Sequence, residues 1–225
     1  MRLTVFNGSP RGKTSNTRLL MGHFSRGFLE HLDNQEEIVC LNRTRELGDQ
    51  VEMFAQAENV ILAFPLYTDA MPGIVKNFIE ALEPVCGRPE NPSLGFVVQS
   101  GFQEPAHSRY LERYLVKLAS RLGCAYFGTA VKGGVEGIQV MPGWMTRKLL
   151  NTFNLLGKNY SADSGFDGSL LKKLAPWEKM SRGRIAFFRL LNRTGAGNFY
   201  WDQQLKKNQA FEQRFDRPFI EESKD

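Results

Sequence analysis

The sequence predicts an α/β protein with a doubly wound, five-stranded parallel sheet and a helical C-terminal extension. Three observations carry this expectation. Five apolar runs of strand length recur along the first 131 residues, they are apolar throughout rather than alternating, and helical periodicity separates them. Such alternation needs right-handed crossovers, which cover both faces of the sheet and leave ligands at the carboxyl ends of the strands.

The elements follow in order. The first strand covers residues 3–6, and the helix after it, residues 15–32, places Leu19, Leu20, Phe24 and Phe28 toward the sheet. Residues 37–41 form the second strand, followed by a shorter helix at 49–57. The third strand, residues 60–64, leads through a loop to a helix at 73–82, with Pro72 in or near its first turn, where a missing N–H is tolerated. Residues 94–99, a helix at 108–122 and residues 126–131 complete the alternation. The chain is thereby divided into a sheet domain, residues 1–135, and an extension, residues 136–225, packed on that domain or on a partner subunit.

The most informative stretch joins the first strand to the first helix: Asn7-Gly8-Ser9-Pro10-Arg11-Gly12-Lys13-Thr14-Ser15-Asn16-Thr17. Gly8 and Gly12 allow a tight turn, and the unpaired N–H groups of the first helical turn converge at the positive end of the helix dipole. Ser9, Arg11, Ser15, Asn16 and Thr17 add side-chain donors, so the loop suits a phosphate. A nucleoside-triphosphate loop needs four residues between its first glycine and Gly-Lys-Thr, whereas Gly8 and Gly12 enclose three. The Gly-x-Gly-x-x-Gly dinucleotide fingerprint is also missing. A ligand with one terminal phosphate, as in FMN, fits better.

In a sheet ordered 2-1-3-4-5, the loops after the first, third and fourth strands share one rim. The second loop is Pro65-Leu66-Tyr67-Thr68-Asp69-Ala70-Met71-Pro72-Gly73 and the third is Ser100-Gly101-Phe102-Gln103-Glu104-Pro105. Backbone N–H groups between Leu66 and Asp69, with the Tyr67 and Phe102 rings, suit a flat conjugated ring with polar edges. The glycine-rich residues 132–137, after the fifth strand, lie farther from the phosphate in this order; they either shape a substrate pocket or only turn the chain, and the turn is favoured. His23, His31 and His107 form no recognisable constellation and are read as structural or surface residues.

Asn7-Gly8-Ser9-Pro10-Arg11 with Ser15-Asn16-Thr17, and Pro65-Leu66-Tyr67 followed by Pro72-Gly73, Lys76 and Phe78-Ile79-Glu80, resemble the flavodoxin-like NAD(P)H-dependent FMN reductase family over residues 1–135. The resemblance implies noncovalent FMN, with its phosphate on Ser9, Arg11, Ser15, Asn16 and Thr17. It places the ring against Pro65, Leu66, Tyr67, Thr68, Ser100 and Gly101, with Phe102 alongside. It further implies NADH or NADPH as hydride donor, a quinone, flavin or other small acceptor, a homodimer or homotetramer, and chemistry at flavin N5 without a catalytic side chain or a metal. Iron–sulfur relatives place a cysteine cluster after the second strand, where this chain has only Cys40. The alternative is a noncatalytic flavodoxin-like electron carrier. Such carriers tend to be acidic around the flavin, and the net charge of +5 here favours the enzyme.

Composition bounds the rest. With 225 residues and 42% hydrophobic side chains, the chain is long enough for a sizeable core. It has no apolar run of membrane-spanning length and opens on a strand rather than a signal peptide, so a cytoplasmic protein is expected. Cys40, Cys86 and Cys124 are too widely spaced for a Cys-x-x-Cys motif and read as reduced thiols. Residues 172–217 hold 11 Lys and Arg against 4 Asp and Glu. Helical spacing puts Trp177, Met180, Phe187, Phe188 and Leu191 on one face, with Lys179, Arg182, Arg189 and Arg193 opposite. That face is expected to pack on the domain or a partner subunit. An acidic redox protein or an anionic membrane surface is the other class of partner; nucleic acid is disfavoured because no binding motif accompanies the charge.

Overall fold

The computed structural model describes residues 1–161 and 165–217. Five strands, β1 (Arg2–Asn7), β2 (Gln35–Cys40), β3 (Asn59–Pro65), β4 (Ser93–Gln99) and β5 (Tyr126–Lys132), form one sheet in the order β2-β1-β3-β4-β5. All four pairings are parallel. Burial on both faces explains the continuous apolar runs: every residue of β3 is buried.

Alternate residues of each strand feed two cores. Phe6, Leu62, Phe64, Phe96 and Val98 face α2 (Leu47–Ala55), α3 (Gly73–Ala81) and α4 (Arg109–Leu122), meeting Phe54, Phe78 and Leu115. Leu3, Val5, Ile61, Ala63 and Val97 face α1 (Asn16–Phe28) and α5 (Gly143–Lys158), meeting Phe24, Phe28 and Phe153. Helix α1 is shorter than the expected 15–32. Asn34 Nδ2 takes the Phe28 carbonyl at 2.9 Å, and the apolar residues beyond, Leu29 and Leu32, stay exposed.

The contact between α1 and α5 is unusually close and has a sequence cause. A Cβ added at Gly157 would lie 1.9 Å from the Phe24 carbonyl oxygen, and one added at Gly27 would lie 1.9 Å from that of Asn154. The two glycines face each other's backbone and let the helices touch without intervening side chains. Lys158 pairs with Glu30 at 2.7 Å and the His31 Nε2 contacts the Lys158 carbonyl at 3.1 Å, fixing the same crossing.

Residues 136–179 complete this side of the molecule. Phe166 and Tyr160 join Phe24 and Phe127 in an aromatic cluster, Phe166 standing edge-on to Phe127 at 5.1 Å. Leu170 and Leu174 of α6 (Gly168–Leu174) are buried beside them. Glu178 then takes Arg109 of α4 in a two-pronged pair at 2.6 and 2.9 Å. The first compact unit accordingly runs Met1–Lys179, well past the division expected at residue 135.

The second unit begins at Met180. It carries α7 (Arg182–Arg193), a 3-10 turn Ala196–Asn198 and α8 (Phe199–Lys207). The helical face expected to run from Trp177 is interrupted, because Ser181 caps α7 by accepting the Arg184 N–H and leaves Trp177 and Met180 ahead of it. Phe187, Phe188, Leu190 and Trp201 are exposed. The end of the expected extension, residues 218–225, lies outside the described residues. Among the described residues no helix is long and apolar enough to cross a membrane.

Candidate functional site

The site is organised by the last residue of β1. Asn7 is fully buried; its Oδ1 accepts the Ser9 N–H at 3.1 Å, while its Nδ2 donates to the Gly12 carbonyl at 2.9 Å and to Ser15 Oγ at 3.3 Å. One amide thus ties both ends of the loop. Gly12 has φ +54°, the left-handed region that glycine enters without strain. Gly8 is required for close approach rather than for turning, since a Cβ there would meet Val75 Cγ2 at 2.3 Å.

The five residues assigned to the phosphate divide by role. Ser15 is the N-cap of α1: its hydroxyl accepts the Arg18 N–H at 3.0 Å and donates to the Gly12 carbonyl at 2.7 Å. The Asn16 side chain donates to the carbonyls of Val135 and Glu136 at 2.9 and 3.2 Å and accepts Gln139 Nε2 at 2.7 Å. Thr17 is wholly buried and its hydroxyl accepts Gln99 Nε2 at 3.3 Å. The Ser15 and Asn16 side-chain protons are thus committed within the fold, whereas the Thr17 hydroxyl, an acceptor here, keeps its proton. The backbone N–H groups of Asn16 and Thr17 have no acceptor among the described residues, and of these two residues Asn16 lines the cleft while Thr17 is buried. Ser9 and Arg11 line the cleft directly.

After β3, Tyr67 and Ala70 bond each other reciprocally at 2.9 and 3.0 Å around Thr68 (φ +49°) and Asp69 (φ +60°). This is the two-residue turn with both central residues left-handed. The Leu66 N–H is taken by the Gln99 carbonyl at 2.8 Å and the Tyr67 N–H by Ala70. Of the expected backbone donors, Thr68 and Asp69 therefore remain. After β4, the Ser100 N–H donates to the Lys132 carbonyl and its hydroxyl to the Phe102 carbonyl, so Ser100 holds the loop's shape. Phe102 stacks on His107 at 4.6 Å, and His107 Nδ1 reaches Asp69 at 3.5 Å. His107 thus bridges two loops of the rim, although its sequence position gave no sign of it.

The loop after β5 is also part of the site, contrary to the turn expected far from the phosphate. Asn16 pins its backbone, Glu136 extends to Arg11 with Oε1 2.8 Å from Nη2, and the Gly134 and Val135 N–H groups bond the Phe102 and Ser100 carbonyls. Beneath it, burial pulls the Lys132 ammonium pKa down.

Together these loops enclose a shallow cleft of about 70 Å³, open to solvent, lined by Ser9, Arg11, Asn16, Pro65, Leu66, Tyr67, Gln99, Ser100, Gly101 and Glu136. Thr68 and Phe102 lie on the flanking loops rather than in the lining. The cleft's phosphate-loop end offers the Asn16 N–H, a hydroxyl and a guanidinium, and its other end carries the half-exposed Tyr67 ring with Phe102 nearby. This donor set fits FMN, whose phosphate and ring need different surroundings. Sequence reasoning missed Gln99 and Asn7, both polar residues ending otherwise apolar strands, and Glu136, which no local signal marks.

No curated protein sequence matches the chain. Among solved structures, it is similar to an NAD(P)H:quinone oxidoreductase from Methanothermobacter marburgensis (TM-score 0.57, 14% identity, 71% of this chain and 96% of the other). It is also similar to an FMN-dependent NADH-azoreductase from Bacillus anthracis solved with FMN (TM-score 0.53, 12% identity, 70% and 98%). A third is an NADPH-quinone reductase from P. pentosaceus (TM-score 0.51, 17% identity, 72% and 100%). At these identities the likeness establishes the fold, which is flavodoxin-like. Over residues 1–101 the chain matches the family described as NADPH-dependent FMN reductase.

Proposed function

We propose that the protein is an FMN-dependent oxidoreductase that takes hydride from NADH or NADPH and passes electrons to a quinone, a flavin or another small acceptor. The observation that carries this reading is the convergence of three strand-end loops and the loop after β5 on one cleft, with phosphate donors at one end and aromatic side chains at the other. The family match over residues 1–101 supports it.

When bound, FMN supplies the hydride-accepting chemistry. The chain's own residues position it. The Asn16 N–H, the Ser9 hydroxyl and the Arg11 guanidinium are the candidate phosphate donors, acting together with the α1 dipole. Thr68 and Asp69 offer N–H groups at the rim, where a ring carbonyl or nitrogen would be held. His107 braces Phe102 against Asp69 and so fixes the width of the mouth through which a second flat ring enters to stack. None of these steps requires a side chain to transfer a proton.

The proposal includes a cytoplasmic homo-oligomer with a pyridine nucleotide and a small acceptor as its ligands. Anaerobic rapid mixing tests the function: NADH or NADPH bleaches the flavin absorbance, and a quinone restores it. A flavin that stays oxidised with both nucleotides, in protein that retains FMN, reassigns the chain to the electron carriers.

A further inference from the structure

Among the described residues Glu136 is the one carboxylate that lines the cleft, and it lies at the end where an anion would bind. Its backbone does not move independently of the phosphate loop. Asn16 Nδ2 donates to the carbonyls of Val135 and Glu136, and Gln139 Nε2 donates to Asn16 Oδ1 and, at 2.9 Å, to the Thr14 carbonyl. From that fixed point the side chain runs over Gly101, where an added Cβ would sit 3.4 Å from Glu136 Cβ, and reaches Arg11 Nη2 at 2.8 Å. It therefore spans the cleft from the loop after β4 to the phosphate loop.

We infer that Glu136 is an internal competitor for the anion site, a carboxylate latch on Arg11 that an incoming phosphate must share or displace. The inference rests on the proposed FMN reading. A phosphate that recruits Arg11 meets a second negative charge a few ångströms away, so binding includes rotating Glu136 aside while its backbone stays pinned. Both side chains are about half exposed, 51% for Arg11 and 39% for Glu136, so the latch is a weak pair that a dianion can open. A ligand without a phosphate leaves it closed. Glu136 thus sets how tightly the phosphorylated flavin is held and does so without touching the ring chemistry, which makes it an affinity-determining residue rather than a catalytic one.

Titration of the flavin-free full-length protein with FMN and with riboflavin, read by flavin fluorescence, tests the latch in wild type, Glu136→Gln, Glu136→Ala, Arg11→Gln and the double variant Glu136→Gln/Arg11→Gln. The expected result is that both Glu136 variants tighten FMN about five- to ten-fold at low ionic strength, and less at high salt, with riboflavin changed by less than about two-fold. The gain shrinks in the Arg11→Gln background, because part of it comes from releasing Arg11. The latch is overturned if both Glu136 variants bind FMN as wild type does or more weakly, or if FMN and riboflavin shift equally. Wild-type protein that binds neither flavin overturns the cofactor reading itself, and the latch with it.

Discussion

Replacing Gly157 with alanine perturbs the close crossing of α1 and α5. The new Cβ would sit 1.9 Å from the Phe24 carbonyl oxygen and 3.0 Å from the Phe28 N, whereas real Cβ atoms essentially never come closer than 3.0 Å. Both obstacles are backbone, so no rotamer change relieves them, and α1 and α5 must separate by roughly an ångström. A gap of that size forfeits a quarter to a half of each dispersion contact across it, and overpacking in a rigid site costs about 1–3 kcal/mol or more. The gain in helix propensity returns about 1 kcal/mol. A net loss of up to about 2 kcal/mol follows, which in a domain of this size lowers the melting temperature by up to about 8 °C. Gly143→Ala is the control in the same helix, since nothing lies within 4 Å of its added Cβ, and it should melt at or above wild type. Thermal unfolding followed by circular dichroism decides the matter. A Gly157→Ala protein that melts with wild type would refute the close crossing.

Three further outcomes are expected. Arg11→Ala should weaken FMN by about 1.5–3 kcal/mol, the range of a charge-assisted hydrogen bond, while leaving riboflavin titrations nearly unchanged. Glu36→Gln should raise the melting temperature at neutral pH: burial pushes the Glu36 pKa up, so its contribution to stability is present below its ordinary value and is lost as pH rises through the raised one. The Ser25 hydroxyl has one proton for two acceptors, Met21 O and Glu36 Oε1, each at 2.7 Å, and only a protonated or amide side chain at position 36 satisfies both; melting curves across pH that never favour the variant would oppose this account. Truncation after Lys179 should leave a folded first unit, whereas truncation after residue 160 removes Phe166, Leu170 and Leu174 from the core at about 1.5–3 kcal/mol each and should give aggregates in light scattering.

The sheet was legible because buried parallel strands leave continuous apolar runs, and the strands and first four helices occur in the expected order, with α1 ending at Phe28 rather than at residue 32. The phosphate loop was legible because glycines and short polar residues between a strand and a helix have few other uses. What the sequence did not disclose is how donors are allotted. Ser15, Asn16 and Thr17 look like phosphate ligands by type, yet each side chain is bonded within the fold, and only the surrounding partners, Gly12, Val135 and Gln99, reveal this. The loop after β5 was misplaced for a related reason. Strand order sets distances along the sheet, but a loop with several residues folds back over its top edge, and the Asn16–Val135 bond that draws it there joins residues 119 positions apart. The extent of the first unit depends likewise on distant pairs: Glu178 with Arg109, and Tyr160 with Asn59.

The central claim is that the four-loop cleft holds FMN, and identification of the flavin carried by the purified protein tests it most directly. Denaturation followed by chromatography of the released chromophore should yield FMN alone, and protein stripped of flavin should regain its yellow colour stoichiometrically when FMN is returned. Release of FAD, or a colourless protein that takes up no FMN, would contradict the account.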